Sequence, residues 1–240
     1  RLVGSEMCIR DRYYNDPHER MFVFMISKHG NHTLFMNDLF YLDHDLDVNI
    51  VWHKDGQDAI QTIVDEMHFP GRIGIDKNWA SHFLLDLMKK LPDAKYINAS
   101  PCVDLVRMKK DLQEQVLMIE SSKINDAVME EIIPFIQEGV TEKQLAKKLD
   151  ELFFNHHSTC YGAIVAFGKN AADPHHENDD TLLRKGDCVL IDMGCVYKGY
   201  CSDMTRTFFY EGILEEEIKV YEIVKKANEA AEAMIKPGVK

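Results

Sequence analysis

CVLIDMGCVYKGYCSDMTRTFF, residues 188–209, is the stretch that decides the fold, because its pattern predicts two β-strands joined by a tight turn. Asp192 and Asp203 stand one in each strand, and a two-residue turn at Tyr197-Lys198 places them directly opposite each other on one face. Directly opposed side chains lie about 5 Å apart at Cβ, and like charges there are destabilising. The run Val189-Leu190-Ile191 predicts a region that is at least half buried. Two carboxylates in such a place need a shared proton or a cation, and hard oxygen ligands favour one or two divalent metal ions.

The spacing of the two aspartates leaves plainer interpretations open. Aspartates are common at turns and strand ends, and most pairs with this spacing bind nothing. Cys188, Cys195 and Cys201 flank the pair and could be mistaken for zinc ligands. Since no paired thiol spacing accompanies them, packing is the role expected of all three cysteines.

Four pieces of sequence around this hairpin match, in order, the metal-binding core of one enzyme family. They are GKNAADPH at 168–175, LRKGD at 183–187, IDMG at 191–194 and GYCSDMTRTF at 199–208. Together they resemble the creatinase/aminopeptidase P/prolidase family of pita-bread metallopeptidases, and most closely its Xaa-Pro dipeptidase branch. The run Asp-Met-Thr-Arg-Thr at 203–207 resembles the proline peptidases rather than the methionine aminopeptidases.

This resemblance implies a catalytic site with two divalent metal ions, held by two Asp, one His and two Glu side chains. On this chain Asp192 would chelate one ion and Asp203 would bridge both. His175 would be the catalytic and substrate-binding histidine, whereas the adjacent His176 is expected to be a surface residue. Tyr161 aligns with a position near the site. The remaining His and Glu ligands would lie beyond residue 240, and manganese is the favoured metal, with zinc or cobalt as alternatives.

The activity that the resemblance implies is exopeptidase hydrolysis of Xaa-Pro dipeptides, or of short peptides with proline in the second position. The family also implies a homodimer. One alternative is a non-catalytic pita-bread module that binds peptides or partner proteins. Another is a different pita-bread enzyme, such as creatinase or methionine aminopeptidase.

Composition narrows the class of protein further. The chain has 240 residues, of which 45% are hydrophobic and 28% are charged, as is ordinary for a globular protein. The formal net charge of −12 argues against nucleic-acid binding. No apolar run approaches the roughly 20 residues of a membrane span. Six cysteines without a repeating spacing indicate no disulfide framework, so a cytoplasmic location is expected.

The order of elements predicts an α/β (α+β) protein with two parts. Residues 13–103 alternate short strands and helices, as in a partial creatinase-type N-terminal α/β domain. Residues 104–240 resemble the first half of a pita-bread catalytic domain and include a capping box at Thr141 to Gln144. Residues 1–12 resemble a translated sequencing adapter and are excluded from the fold prediction as an expected artefact. The chain is therefore expected to be a fragment, inactive by itself because two ligands cannot hold a dinuclear site.

Overall fold

The structure is a computed structural model, and it describes residues 2–4, 20–28, 30–40, 46–67 and 71–239. Helices and strands alternate and mix along the chain, which confirms the predicted α/β (α+β) class. The chain divides into two compact units, Arg1–Leu112 and Gln113–Lys240. The sequence places this boundary earlier, between residues 103 and 104.

The first unit is built around a mixed six-stranded sheet. Its strands are β1 (Leu2–Gly4), β2 (Val23–Ile26), β3 (Thr33–Asn37), β4 (Asn49–His53), β5 (Arg72–Ile75) and β6 (Lys95–Asn98), in the spatial order β4-β3-β2-β1-β5-β6. The helices α1 (Ala59–Glu66), α2 (Ser81–Lys90) and α3 (Ser100–Met108) accompany it. Ile63 of α1 and Leu87 of α2 are fully buried with Phe35 and Ile73 of the sheet, so these helices supply one side of the core.

Strand β1 lies within residues 1–12, the segment that resembles a translated sequencing adapter. Leu2–Gly4 lies between β2 and β5, antiparallel to the first and parallel to the second. Strands pair through backbone N–H and C=O groups, which are nearly the same in every sequence. Residues of almost any sequence can therefore pair with the backbone edges of β2 and β5. Residue 1 and residues 5–12 lie outside the described part of the chain.

The second unit packs two helices against one face of an antiparallel sheet. Its elements are α4 (Leu112–Ile132), a 3₁₀ turn (Ile133–Phe135), α5 (Glu142–Asn155), β7 (Thr159–Cys160), β8 (Ile164–Phe167), a 3₁₀ turn (Gly168–Ala172), β9 (Cys188–Tyr197), β10 (Tyr200–Phe209) and α6 (Glu215–Met234). Strand β9 is central, because it pairs with β10 along one edge and with β7 and β8 along the other.

Apolar side chains from α4 and α5 cover one face of β9. Val128 and Ile132 from α4, and Leu149 and Phe153 from α5, are fully buried. They pack with alternate residues of β9, namely Val189, Ile191, Met193 and Cys195. Because side chains alternate along a strand, the residues between these four point to the opposite face. That opposite face is where Asp192 lies.

Local sequence signals set the helix boundaries in this unit. The predicted capping box is present: Thr141 Oγ1 accepts from Gln144 N at 3.1 Å, and the Gln144 side chain accepts from Thr141 N at 2.9 Å. The helix expected over residues 111–137 ends at Ile132, where Pro134 turns the chain into a 3₁₀ conformation. None of the helices in the described part of the chain combines the length and apolar character that a membrane span requires.

Candidate metal centre

The turn of the β9–β10 hairpin fixes how its two strands align. Lys198 and Gly199 are the two turn residues, with φ angles of 48° and 84°. Positive φ at both central positions defines a type I′ turn, which glycine occupies without strain. The turn therefore falls one residue later than the predicted Tyr197-Lys198, and Tyr197 pairs with Tyr200.

This turn corrects the predicted pairing of the two aspartates but preserves their shared face. Asp192 pairs with Thr205, and Asp203 pairs with Gly194, so the prediction of direct opposition is wrong. Moving the turn by one residue shifts the alignment of the strands by two, and a two-residue shift leaves every side chain on its original face. The aspartates are diagonal neighbours, for which about 7–8 Å is the usual separation.

The aspartate face is more open than the sequence predicts. Asp192 is half-buried and Asp203 is exposed, because the buried members of the Val189–Ile191 run lie on the helix-covered face. Two unit charges about 7 Å apart in water repel by well under 1 kcal/mol. Repulsion therefore does not by itself demand a cation. Ligand chemistry favours a metal instead. The two carboxylates face one side, and of their oxygen atoms only Asp192 Oδ1 is partly used, accepting from Thr205 Oγ1 at 2.7 Å.

Tyr161 lies across this face and is 49% exposed. Its hydroxyl donates a hydrogen bond to the backbone oxygen of Ser202 at 2.8 Å, and its backbone N–H donates to Gly194 O. The ring occupies the space that a side chain at Gly194 would fill. Burial raises the pKa of the Tyr161 hydroxyl, and the nearby negative charges of Asp203 and Asp192 raise it further. Tyr161 therefore packs on the face that carries both carboxylates.

His175 stands on the loop that follows β8, and its ring is exposed. Its backbone N–H donates to Asp173 Oδ1 at 3.0 Å. Within residues 71–239, no hydrogen bond joins the His175 ring to Asp192 or Asp203. The structure thus brings the two aspartates and Tyr161 onto one face, whereas the position of His175 is set by the loop after β8.

Within the described residues, one group of three side chains has the spacing of a metal site: Glu142, His176 and Asp179. The Glu142 carboxylate already accepts hydrogen bonds from four N–H groups. A carboxylate offers about four lone-pair sites, so none is left for a cation, and this group does not fit a metal. The expectation that His176 is a surface residue is wrong, because its side chain is 12% exposed and bonded to Glu142. A buried carboxylate needs such a partner.

The cysteines near the hairpin differ from one another in burial. Cys195 is buried in the core, as expected of a packing residue, and Cys188 is half-buried, but Cys201 is exposed, so packing is the wrong role for it. None of the five cysteines of the described residues forms a disulfide bond, the other two being Cys102 and Cys160.

We expect Cys160 to react far more slowly with alkylating agents than the exposed Cys102 and Cys201. Burial, followed by the nearby Asp150 carboxylate, raises the pKa of the Cys160 thiol to about 11. At pH 8 only about one such thiol in a thousand is ionised, so its rate with iodoacetamide should be on the order of a hundredfold lower. The rate should climb about tenfold per pH unit up to pH 11. Peptide mass spectrometry of timed samples measures it, and labelling of Cys160 as fast as Cys201 would refute this assignment.

Comparison with known proteins decides the family. The family model for metallopeptidase family M24 matches residues 116–240, which is more than half of the chain. The chain belongs to metallopeptidase family M24. A second model, that of the creatinase/prolidase N-terminal domain, matches residues 11–109.

Similar proteins match this chain over both of its units, and the three named below are peptidases. An uncharacterized peptidase of Staphylococcus saprophyticus is 28% identical over 95% of this chain and 66% of its own length. Among solved structures, a dipeptidase from Pyrococcus horikoshii has a TM-score of 0.89 at 29% identity, over 100% of this chain and 69% of that one. A prolidase from Thermococcus sibiricus has a TM-score of 0.89 at 27% identity, over 99% of this chain and 68% of that one. The M24 chain thus spans about two thirds of the length of these relatives.

Proposed function

We propose that the whole protein containing this chain is a metal-dependent exopeptidase that hydrolyses Xaa-Pro dipeptides, or short peptides with proline in the second position. The observation that carries this proposal is the β9–β10 hairpin of an M24 chain, with Asp192 and Asp203 on one open face. The similarity to a dipeptidase and a prolidase supports the substrate class.

Asp192 and Asp203 are the proposed ligands for two divalent metal ions, with manganese favoured and zinc or cobalt as alternatives. Both offer oxygen atoms to the same face, and hard oxygen donors suit these ions. When bound, such ions supply Lewis acidity that lowers the pKa of water and polarises a carbonyl group. Thr205 orients Asp192 by donating to its Oδ1 atom, so the other oxygen of that carboxylate remains available.

His175 is the proposed catalytic residue of the chain itself. An imidazole N–H can hydrogen-bond the oxygen on which negative charge develops as the peptide carbonyl is attacked. The Tyr161 ring packs on Gly194 at the face that carries Asp192 and Asp203, so it limits the space that a substrate can occupy there. A proline amide has no N–H to offer, so the pocket must recognise the pyrrolidine ring by shape. We further propose a homodimer in the cytoplasm, where the thiols of this chain would stay reduced.

Hydrolysis assays with the whole protein test this function. The proposal expects manganese-dependent cleavage of Xaa-Pro dipeptides, little cleavage of matched Xaa-Ala dipeptides, and loss of activity with a chelator. Release of methionine from Met-Ala peptides would instead support a methionine aminopeptidase, and hydrolysis of creatine a creatinase. A protein that neither holds metal nor cleaves any peptide would support the non-catalytic binding module.

A further inference from the structure

Glu142 is a fully buried carboxylate at the first turn of α5, and its side chain holds the loop that carries His175. One oxygen accepts from Phe167 N at 2.8 Å and from Asn170 Nδ2 at 2.9 Å. The other accepts from His176 Nε2 at 2.6 Å and from Asp179 N at 3.1 Å. These donors come from the end of β8 and from both ends of the loop over residues 168–179. One side chain therefore closes that loop onto α5.

Asn178 fixes the returning part of the same loop against the sheet. Its Oδ1 atom accepts from Val165 N at 2.7 Å, and its Nδ2 atom donates to Ala163 O at 2.7 Å. These two backbone groups flank Ile164, which pairs directly with Asp192. The Asn178 amide thus occupies the free edge of β8 as a neighbouring strand would, and it does so level with the proposed metal ligand.

His175 lies between Asn170 and His176, whose side chains both bind Glu142. The ring of the next residue, His176, is fixed on Glu142, and Asn178 follows three residues after His175. Three residues span at most about 11 Å, so the Cα atom of His175 is confined to that distance from Asn178. The exposed His175 ring therefore belongs to a short segment that is tied down on both sides.

We propose that Glu142 and Asn178 are positioning residues, which hold the loop over residues 168–179 so that His175 is presented to the site of Asp192 and Asp203. This inference rests on the proposed function for the part played by His175. Neither anchor touches the aspartates. Glu142 binds the side chain of His176 and a backbone N–H group of the loop, and Asn178 binds the backbone of β8. Both residues therefore affect His175 only indirectly, by fixing the position of its loop.

The test compares Glu142→Gln and Asn178→Asp with a matched control in the whole protein. Glutamine keeps the volume of Glu142, but one of its two terminal atoms becomes an NH₂ group that cannot accept two of the four N–H donors. Aspartate at position 178 keeps the acceptor for Val165 N but loses the donor to Ala163 O. Glu131→Gln is the control, because Glu131 binds His156 at 2.9 Å in the same kind of pair on the surface.

The proposal expects kcat on an Xaa-Pro dipeptide to fall about 10- to 100-fold in both anchor variants, since small misplacement of a catalytic group costs that much. KM and manganese affinity should change less than about twofold, because an interaction made in the transition state alone appears in kcat. The control should keep its full kcat. Unchanged kcat in folded, metal-loaded anchor variants would overturn the proposal.

Amide hydrogen exchange on the 240-residue chain gives a second measurement that needs no activity. In Glu142→Gln the N–H group of Phe167 or of Asp179, whichever the new NH₂ group faces, should exchange faster. In Asn178→Asp the carboxylate is repelled by Ala163 O, so the N–H group of Val165 should exchange faster. In both variants β9 stays protected. Unchanged exchange at these three groups overturns the anchoring. Faster exchange in a protein that cleaves no peptide, even as the wild type, supports the anchoring and rejects the proposed function instead. If Glu142→Gln fails to fold, Asn178→Asp still decides the matter.

Discussion

Replacing Asp203 by asparagine should lower kcat/KM of the whole protein by at least about a thousandfold, which corresponds to about 4 kcal/mol of transition-state stabilisation. The amide keeps the shape of the side chain but loses the negative charge that would bridge two ions. Steady-state kinetics on an Xaa-Pro dipeptide measure the loss. Asp126→Asn is the matched control, because Asp126 is an exposed aspartate on α4, and its kcat/KM should not change.

Stability distinguishes loss of a metal ligand from loss of the fold in the same variant. Without metal, Asp203→Asn removes one of two like charges, so the free energy of unfolding should stay the same or rise by a few tenths of a kcal/mol. At a metal concentration of about 100 times Kd, the wild type should gain about 2.7 kcal/mol for each ion it binds, and the variant much less. A variant that gains as much as the wild type would show that Asp203 binds no ion.

Replacing Gly194 by alanine should lower the free energy of unfolding by about 3 kcal/mol, at the upper end of the range for overpacking. A Cβ atom there would lie far inside van der Waals contact with the Ser202 backbone oxygen and the Tyr161 ring. The first of these belongs to the paired strand and cannot move without breaking the hairpin. Tyr161 must also leave its place on Gly194, beside the aspartate face, so activity should fall as well.

Gly71→Ala is the control for this substitution. Gly71 has no atom within 4 Å of an added Cβ and no positive φ, so its free energy of unfolding should stay within about 0.5 kcal/mol of the wild type. Denaturant unfolding of both variants gives the comparison. A Gly194→Ala protein as stable as the Gly71→Ala protein would contradict the described packing of Tyr161 on Gly194.

The hairpin shows how far sequence pattern can predict a site. Alternation along the strands was sufficient to place Asp192 and Asp203 on one face, because that result survives any two-residue error in alignment. The direct pairing was not predictable from alternation, since it depends on which two residues take positive φ. Gly199 is the signal for that choice, because a type I′ turn favours glycine at its second central position.

Residues that support the site without touching it were harder to find in the sequence. Glu142 follows a capping threonine, where an acidic residue is ordinary for an exposed first turn, and nothing local shows that it is buried. Its partners Asn170 and His176 are 28 and 34 residues away. Gly194 and Asn178 carry no local signal either, because their roles depend on Tyr161 and on the open edge of β8.

Helix α3 was missed for a different reason. Ser100–Met108 is helical with Pro101 in its first turn, where proline is well tolerated. Its apolar residues Leu105, Val106 and Met108 are all exposed. Serine and proline at its start are as typical of a turn as of a first helical turn, so the sequence alone does not decide between the two.

Manganese titration of the whole protein, prepared free of metal, tests the central claim most directly. Isothermal calorimetry should find about two ions per chain in the wild type, and no binding of comparable affinity in an Asp192→Asn/Asp203→Asn double variant that keeps its fold. Equal binding in the two proteins, or none in either, would contradict the claim that this pair of carboxylates holds the catalytic metal.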